Sequence, residues 1–337
     1  MQAWQQNLLG VAPGAILVEV GSMFDVCVIG PIVWDRNFLG NIERRPQPGG
    51  VAYYASMTYC RLGLSTAVVT KVATNDEWAL LRELRSNGVE VFNLPTNTTT
   101  TFENHYSVDN FDVRVQRIGS CAEIIRMTEF PNIQANTIHF GPLTPDDIEL
   151  NIMVPKFSAF ATIALDAQGL VRETIDGAVV AKEKVDHGQW LRFVDVLKVD
   201  TQELLIYAGS ASPNNAVKEL LAQGVHELIV TEGSLGSTVF RNGDSFHIDA
   251  IQPRQSIDAT GCGDTFLAAY MAKRMISKDI KECGSFASAA ASINLEYSGP
   301  FKGNEQEVLR KLETWKRDER PDVWAGQWRI AGSTFDG

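Results

Sequence analysis

Short apolar runs rich in Val and Ile alternate along the chain with segments of helical periodicity. The runs lie at residues 24–30, 65–72, 89–94, 136–141, 161–167, 194–200 and 226–233. A continuous apolar run is typical of a strand that is buried on both faces, and helices between such strands connect parallel neighbours. The pattern therefore predicts a doubly wound α/β domain with a mainly parallel sheet and helices on both faces.

Two of the predicted helices have recognisable ends. Residues 50–62 are followed by Gly63, and residues 76–87 begin at Asp76 and are followed by Gly88. A glycine directly after the last turn is typical of a helix C-terminus. We expect both helices to cover the sheet.

Two segments, residues 35–47 and 98–118, interrupt the alternation of strands and helices. The second alternates polar and apolar positions, and Asp109-Asn110 indicates a hairpin turn. We predict that both form antiparallel strands outside the main sheet. Together they would be a lid over the carboxyl ends of the parallel strands, where open α/β sheets bind ligands. The predicted domain limits are an extension at 1–22, a core with its lid at 23–317, and a tail at 318–337.

Composition narrows the class of protein. The 337 residues carry 30 Lys and Arg against 41 Asp and Glu, a formal charge of −11. We expect no nucleic-acid partner, because binding to a phosphate backbone needs clustered cations. The five cysteines are scattered and odd in number, which favours reduced thiols. Apolar runs shorter than the roughly 18 residues of a membrane span predict a cytoplasmic protein without a membrane partner.

The stretch IDATGCGDTFLAAYMAKRM, residues 257–275, places a glycine loop before a helical pattern. The first N–H groups of a helix lack intrahelical partners and carry the positive end of the helix dipole, so they attract anions. The loop therefore predicts an anion site made by the amides of Thr260, Gly261, Cys262 and Gly263. Asp264 would stand at its rim and accept a proton from an attacking group. Because a helix N-terminus lowers the pKa of a carboxylate, we expect Asp264 to be a weak base.

Other phosphate-binding loops fit this stretch less well. A Walker loop requires Gly-Lys, a dipeptide that the chain lacks. A dinucleotide-binding loop requires a third glycine, but Phe266 stands at that position. Transfer of a phosphoryl group to a hydroxyl that faces Asp264 is the remaining chemistry, and its loose transition state tolerates a weak base.

The motif DATGCGD, residues 258–264, resembles the D-[TA]-x-G-[AC]-G-D motif of the ribokinase-like (PfkB) carbohydrate kinases. Further upstream, PQPGGVAYYAS (46–56) resembles the di-glycine substrate motif of that family. In addition, KVDTQEL (198–204) is similar to its N-x-x-E element, and IVTEGSLGS (229–237) to its nucleotide-side strand and turn. The similarity extends over about residues 24–316. It implies a kinase that uses ATP and Mg²⁺.

The resemblance also implies roles for individual residues. Asp264 would be the catalytic base, with Gly261, Cys262 and Gly263 in the anion hole. Substrate contacts are expected from Asp35, Gly49, Gly50, Tyr54, Arg114 and Gln116. Nucleotide contacts are expected from Thr231, Gly233, Gly236, Thr260 and Asn294. Glu203 would act on Mg²⁺, directly or through water, while Asp258 would either bind a monovalent cation such as K⁺ or hydrogen-bond the loop amides.

Two positions depart from the family pattern: the first lies in the element near metal and phosphates, and the second bears on the substrate. Asp200 replaces the usual Asn of N-x-x-E, and Tyr54 stands where ribose-specific members place an Asn. Tyr54 therefore argues against ribose and favours another polyol or a ring substrate. Residues 102–106, 113–117 and 165–172 resemble those of inositol-kinase-like members. The expected reaction is transfer of the γ-phosphoryl group of ATP to a hydroxyl of a small sugar or cyclitol.

Several alternatives stay open at this level. A nucleoside kinase of the same fold would use the same loop, with Tyr53 or Tyr54 stacked on a base. A sugar or nucleotide sensor without catalysis would keep the fold, and a nucleotide-dependent dehydrogenase is the remotest option. In some relatives the lid strands pair between subunits, so a homodimer through the lid is also an option.

Overall fold

The computed structural model describes residues 22–39, 42–43, 45–106, 114–182, 185 and 188–318. The predicted turn at Asp109-Asn110 lies outside these ranges, as do the predicted extension except Ser22 and the predicted tail except Asp318. The limits of extension, core and tail, and the homodimer through the lid, therefore stay predictions.

The described part of the chain contains sixteen strands and eight α-helices. The strands are β1 (Ser22–Ile29), β2 (Val33–Leu39), β3 (Ile42–Glu43), β4 (Gln47–Gly49), β5 (Thr66–Lys71), β6 (Glu90–Leu94), β7 (Thr101–Tyr106), β8 (Arg114–Ser120), β9 (Ile133–Phe140), β10 (Thr162–Asp166), β11 (Arg172–Ile175), β12 (Ala178–Ala181), β13 (Val196–Asp200), β14 (Glu227–Thr231), β15 (Ser237–Arg241) and β16 (Asp244–Ile248). The helices are α1 (Val51–Arg61), α2 (Thr74–Ser86), α3 (Leu150–Phe157), α4 (Thr201–Ala208), α5 (Pro213–Ala222), α6 (Cys262–Arg274), α7 (Ile280–Leu295) and α8 (Glu305–Asp318). None of these described helices combines the length and the apolar character that a bilayer crossing requires.

The main sheet has nine strands in the order β16-β15-β14-β13-β10-β9-β1-β5-β6. The seven strands from β14 to β6 pair in parallel, and each of them corresponds to one of the seven apolar runs of the sequence. The hairpin of β15 and β16 continues the sheet in antiparallel pairing at one edge. The doubly wound α/β prediction is confirmed.

Burial on both faces explains the unbroken apolar runs. Along β1, the fully buried Val26 and Val28 point to one face, while Cys27 and Ile29 point to the other. The first face packs against α1, α2, α6, α7 and α8, and the second against α3, α4 and α5. Successive strand residues therefore enter two separate apolar cores.

A second sheet forms the lid, with strand order β11-β12-β8-β7-β2-β3 and with β4 paired to β2. Its pairs are antiparallel except that of β2 and β7, which is parallel. This one exception to the predicted antiparallel lid arises because the chain passes through the main sheet between β2 and β7. The hairpin of β11 and β12 adds to the lid and was not predicted. Val33, Val51, Phe102 and Leu143 form a small apolar core beneath it.

Candidate active site

A cavity of about 1030 Å³ lies between the lid and the carboxyl ends of the parallel strands. Its wall is formed by the lid strands, the start of α1 with Leu143, the carboxyl-terminal parts of β13 and β14, the segments that follow β10, β13 and β14, and the glycine loop with the start of α6. The polar residues in its wall include Asp35, Asn37, Asn104, Gln116, Gln168, Arg172, Lys198, Glu203, Thr231, Asp258, Thr260 and Asp264. The predicted acceptor side, anion loop and nucleotide side thus meet in one continuous space.

The glycine loop uses two of its four predicted anion-binding amides within itself. The amide of Thr260 donates to Oδ1 of Asp258 at 2.9 Å. The amide of Cys262 donates to the carbonyl of Ala259 at 3.2 Å. Within the described ranges, the amides of Gly261 and Gly263 have no protein acceptor, and both residues line the cavity. Two of the four amides, both at the start of α6, are therefore available to an anion, and their role as an anion hole stays a prediction.

The loop is held from behind by Asn294, which is only 1% exposed. Its Nδ2 donates to the carbonyl of Thr260 at 3.1 Å and to Sγ of Cys262 at 3.5 Å. Asn294 does not line the cavity, and its predicted contact with the base or ribose stays a prediction. Burial raises the pKa of the Cys262 thiol to about 11, and this side chain packs against α7 as a neutral thiol.

Asp258 takes part in the hydrogen bonding of the loop. Its Oδ1 accepts a hydrogen bond from the amide of Thr260, and its Oδ2 accepts one from Oγ of Ser298 at 3.1 Å. This arrangement corresponds to the alternative in which Asp258 organises the loop. Binding of K⁺ by Asp258 stays a prediction.

Asp264 lies in the first turn of α6 and lines the cavity. Burial raises its pKa to about 7; the nearby Asp166 carboxylate adds to the rise, and the Lys198 ammonium opposes it. The expectation that the helix N-terminus lowers this pKa is therefore wrong, because desolvation outweighs the helix dipole here. A carboxylate with a pKa near neutrality is a more effective general base than an ordinary Asp.

A buried ion pair of Lys198 and Asp166 lies next to Asp264. The two residues are neighbours on β13 and β10, with Nζ of Lys198 3.1 Å from Oδ2 of Asp166. The other oxygen of Asp166 accepts the amide of Gln168 at 3.0 Å. Sequence reasoning missed this pair. Its signal is a charged residue within the apolar run of β13, Lys198, and another at the carboxyl end of the neighbouring β10, Asp166.

Glu203 and Asp200 cap the start of α4 reciprocally. The amide of Glu203 donates to Oδ1 of Asp200, and the amide of Asp200 donates to Oε2 of Glu203, each at 2.8 Å. Asp200 thus serves as the N-cap, which accounts for an acid where the family has Asn. Burial raises the pKa of Glu203, while the Lys198 charge lowers it.

The donor set fits Mg²⁺ held mainly by phosphate oxygens. In the part of the chain that the structure describes, no three His, Cys, Asp or Glu side chains form a metal-binding group. Mg²⁺ commonly keeps several waters and takes one or two carboxylates in addition to substrate phosphates. Glu203 lines the cavity and keeps one carboxylate oxygen outside the capping pair. Mg²⁺ binding by Glu203 stays a prediction.

On the acceptor side, Asp35 and Tyr54 line the same cavity as Asp264. A Cβ at Gly49 would lie 1.9 Å from Oδ2 of Asp35, so only glycine leaves room for this carboxylate. Gly50 begins α1 with φ of 98° and also lines the cavity. Burial, followed by the charges of Asp35 and Asp264, raises the pKa of Tyr54, so its phenol keeps its proton.

Three amide side chains of the lid form a hydrogen-bonded row in the cavity wall. Nε2 of Gln116 donates to Oδ1 of Asn104 at 2.9 Å, and Nδ2 of Asn104 donates to Oδ1 of Asn37 at 3.1 Å. The predicted partner Arg114 is on β8, but its side chain lies outside the described residues. Asn37 and Asn104 were not predicted from the sequence. Because successive side chains of a strand point to opposite faces, the alternation of these residues with outward-facing ones on β2 and β7 could have indicated that they face the cavity.

On the predicted nucleotide side, Thr231 and Gly233 line the cavity together with Leu235. Gly236 is not in the wall; its carbonyl accepts the amide of Glu232 at 2.8 Å and closes the turn after β14. A Cβ at Gly236 would lie 2.2 Å from the carbonyl oxygen of Ile248. Gly236 therefore shapes the turn, whereas Thr231 and Gly233 face the space where a donor would bind.

Comparisons with known proteins agree with this arrangement. Residues 159–307 match the model of the pfkB family carbohydrate kinases. The chain is 26% identical to a nucleoside kinase of Methanothermobacter thermautotrophicus, and the match covers 82% of this chain and 90% of that protein.

Solved structures show the same fold. A pyrophosphate-dependent kinase in the ribokinase family has a TM-score of 0.74 and 25% identity, covering 84% of this chain and 99% of that chain. Ribokinase of Arabidopsis thaliana, solved with ribose and ATP, has a TM-score of 0.67 and 19% identity, covering 86% and 99% respectively. The likeness therefore extends over most of this chain and nearly all of each neighbour.

Proposed function

We propose that this chain, whose residues 159–307 match the model of the pfkB family carbohydrate kinases, transfers the γ-phosphoryl group of ATP to a hydroxyl of a small sugar or cyclitol. One observation carries the proposal. One cavity beneath the lid is lined by Asp264, by Gly261 and Gly263, and by Asp35 on the acceptor side. Among the described residues, no group accepts a hydrogen bond from the amides of Gly261 and Gly263. These are the parts that phosphoryl transfer to an alcohol requires.

In the proposed reaction, Asp264 accepts the proton of the attacking hydroxyl. Its raised pKa suits this step, since the carboxylate is deprotonated above pH 7 and still basic enough to take the proton. The amides of Gly261 and Gly263 donate to the oxygens of the transferring phosphoryl group, and such preorganised donors are worth roughly 3–4 kcal/mol each. Mg²⁺, when bound beside Glu203, would supply charge neutralisation at the phosphates.

The acceptor side supports a polyhydroxylated substrate. The carboxylate of Asp35 can accept two hydroxyl hydrogen bonds, and the row of Asn37, Asn104 and Gln116 offers both amide donors and carbonyl acceptors. A site built of such groups rejects analogues that lack the hydroxyls, because its polar atoms would be left unpaired. Adjacent hydroxyls of a sugar or cyclitol match this set.

A nucleoside acceptor is the second candidate. It is favoured by the similarity to the nucleoside kinase and by Phe102 and Tyr54, whose aromatic rings line the same cavity. The donor also has an alternative, pyrophosphate, which the related pyrophosphate-dependent kinase suggests. Among the described residues, Leu235 is the one apolar side chain on the donor-side wall formed by 200–203 and 231–235.

The experiment is a panel of acceptors and donors with the purified protein. Sugars, cyclitols and nucleosides are each incubated with Mg²⁺ and either ATP or pyrophosphate, and the phosphorylated acceptor is measured by mass spectrometry. Phosphorylation of a sugar or cyclitol supports the proposal. Phosphorylation of nucleosides alone would show that the second candidate, a nucleoside kinase, is the function. Acceptor binding without turnover would indicate a sensor.

A further inference from the structure

Lys198 is a buried cation in the wall of the cavity whose role the motifs do not assign. It is 6% exposed, lines the cavity, and lies among three carboxylates: Asp166, Glu203 and Asp264. Of these three, only Asp166, at 3.1 Å, is within hydrogen-bonding distance. Removing an ammonium group from water is costly. A lysine that is buried in a core strand and faces a ligand space therefore indicates a function.

The ammonium group lies directly beside the anion hole. A Cβ built on Gly263 would come within 3.1 Å of Nζ of Lys198, so this nitrogen lies against the backbone that carries one of the two available amides. Because Gly263 has no side chain, it leaves room for Nζ of Lys198 to lie close to the backbone of the loop. An ammonium has three N–H donors, and the bond to Asp166 uses one of them.

Asp166 fixes the position of this cation. It is fully buried, and its two oxygens accept from Lys198 and from the amide of Gln168. Both charged residues stand on neighbouring strands in direct register, so the sheet determines their separation. Lys198 therefore reaches the cavity without the freedom that a surface lysine would have.

We propose that Lys198 is a catalytic residue that donates a hydrogen bond to the transferring phosphoryl group, together with the amides of Gly261 and Gly263. This inference rests on the proposed function. The oxygens of the transferred group carry negative charge, and a fixed cation beside them stabilises the transition state. Asp166 acts through Lys198 and is a positioning residue.

The test compares Lys198→Met with the double variant Lys198→Met/Asp166→Asn. The double variant removes both charges, so no unpaired carboxylate is left buried in the core. We expect both to lower kcat by about 100- to 1000-fold, the loss typical of one preorganised donor. The KM of the acceptor should stay within about twofold, because Asp35 and the lid amides are untouched.

A binding measurement separates this role from a structural one. Calorimetry with Mg·ADP and with the non-hydrolysable Mg·AMP-PNP compares ligands that differ in the γ-phosphoryl group. Loss of Lys198 should weaken AMP-PNP binding about tenfold or more and leave ADP binding unchanged, as expected for a charged contact to the γ-phosphate.

Lys71 offers a matched control. It is also a buried lysine on a strand of the parallel sheet, 2.9 Å from the carboxylate of Glu129, but it is not in the cavity wall. Lys71→Met should keep the wild-type kcat. If the double variant folds and keeps the wild-type kcat, Lys198 is not catalytic. If the wild-type protein phosphorylates no acceptor of the panel with either donor, the proposed function fails, and the assignment of Lys198 fails with it.

Discussion

The ring of Tyr54 fills the space that a side chain at position 261 would need: a Cβ on Gly261 would lie 2.2 Å from Cδ1 of Tyr54. Tyr54 belongs to α1, on the proposed acceptor side, and Gly261 is the N-cap of α6, in the proposed anion hole. The contact therefore sets the distance between α1 and the glycine loop. Since Gly261 also has φ of 74°, only glycine satisfies both conditions.

Gly261→Ala should lower kcat/KM by at least about 100-fold, because the new methyl group displaces either Tyr54 or the amides of the anion hole. Steady-state kinetics and a thermal melt measure the effect. Gly63→Ala is the control, since Gly63 also has a positive φ, 89°, but has nothing within 4 Å of its Cβ position among the described residues. The control should lose about 1 kcal/mol of stability and keep kcat. Equal kinetics of the two variants would contradict the role of the Tyr54–Gly261 contact.

The pH dependence should follow the raised pKa of Asp264. Burial raises this pKa to about 7, and a general base acts in its deprotonated form. With the base protonated at low pH, kcat/KM for the acceptor should rise as the pH increases through about 7 and level off above it. A rate profile from about pH 5.5 to 9 checks this, and a flat profile over that range would contradict it.

Asp166→Asn should move that acidic limb to lower pH. The Asp166 carboxylate raises the pKa of Asp264, whereas Lys198 lowers it. Removing the Asp166 charge and leaving the Lys198 charge both stabilise the deprotonated form of Asp264. The same pH series on the variant provides the measurement. A shift of the limb to higher pH would mean that these charges do not act on the base.

The sequence predicted the sheet and the loop well because both are local patterns. Seven apolar runs became seven parallel strands, and DATGCGD became the start of α6. The direction of the pKa shift of Asp264 could not be predicted in this way. It depends on burial and on charges at positions 166 and 198, which only the packing of β10 and β13 brings near residue 264.

The lid was predicted only in part for a related reason. Its segments 35–47 and 98–118 interrupt the strand-helix alternation, and the second also alternates polar and apolar positions. By contrast, β11 and β12 are four residues each and partly exposed, so they leave a weak pattern. Asn294 could be predicted only as a residue near the nucleotide. That its side chain donates to the carbonyl of Thr260 depends on the packing of α7 against the glycine loop, which the sequence pattern does not show.

Asn294→Leu distinguishes these two roles of Asn294. Because the side chain anchors the loop, its loss should lower kcat about tenfold and the free energy of unfolding by about 1–3 kcal/mol. The KM for ATP should change little. A contact with the base or ribose would instead raise the KM for ATP and leave kcat unchanged, so steady-state kinetics with ATP as the varied substrate decides between the two.

Asp35→Asn should raise the KM of the acceptor about 10- to 100-fold, the loss expected for hydrogen bonds to a charged group. The KM of the donor should stay the same, since Asp35 lies on the lid side of the cavity. Glu43→Gln is the matched control, because Glu43 is an exposed lid carboxylate that pairs with Arg36. If both variants raise the acceptor KM equally, the effect comes from the lid as a whole.

The central claim is that Asp264 receives the proton of the acceptor hydroxyl, and Asp264→Asn tests it most directly. Single-turnover phosphoryl transfer is measured for wild type and variant with the acceptor that the panel identifies, alongside calorimetric titration with Mg·ADP. The predicted result is a loss of about 100- to 10,000-fold in the transfer rate with ADP affinity retained. An Asp264→Asn variant that transfers the phosphoryl group at the wild-type rate would contradict the claim.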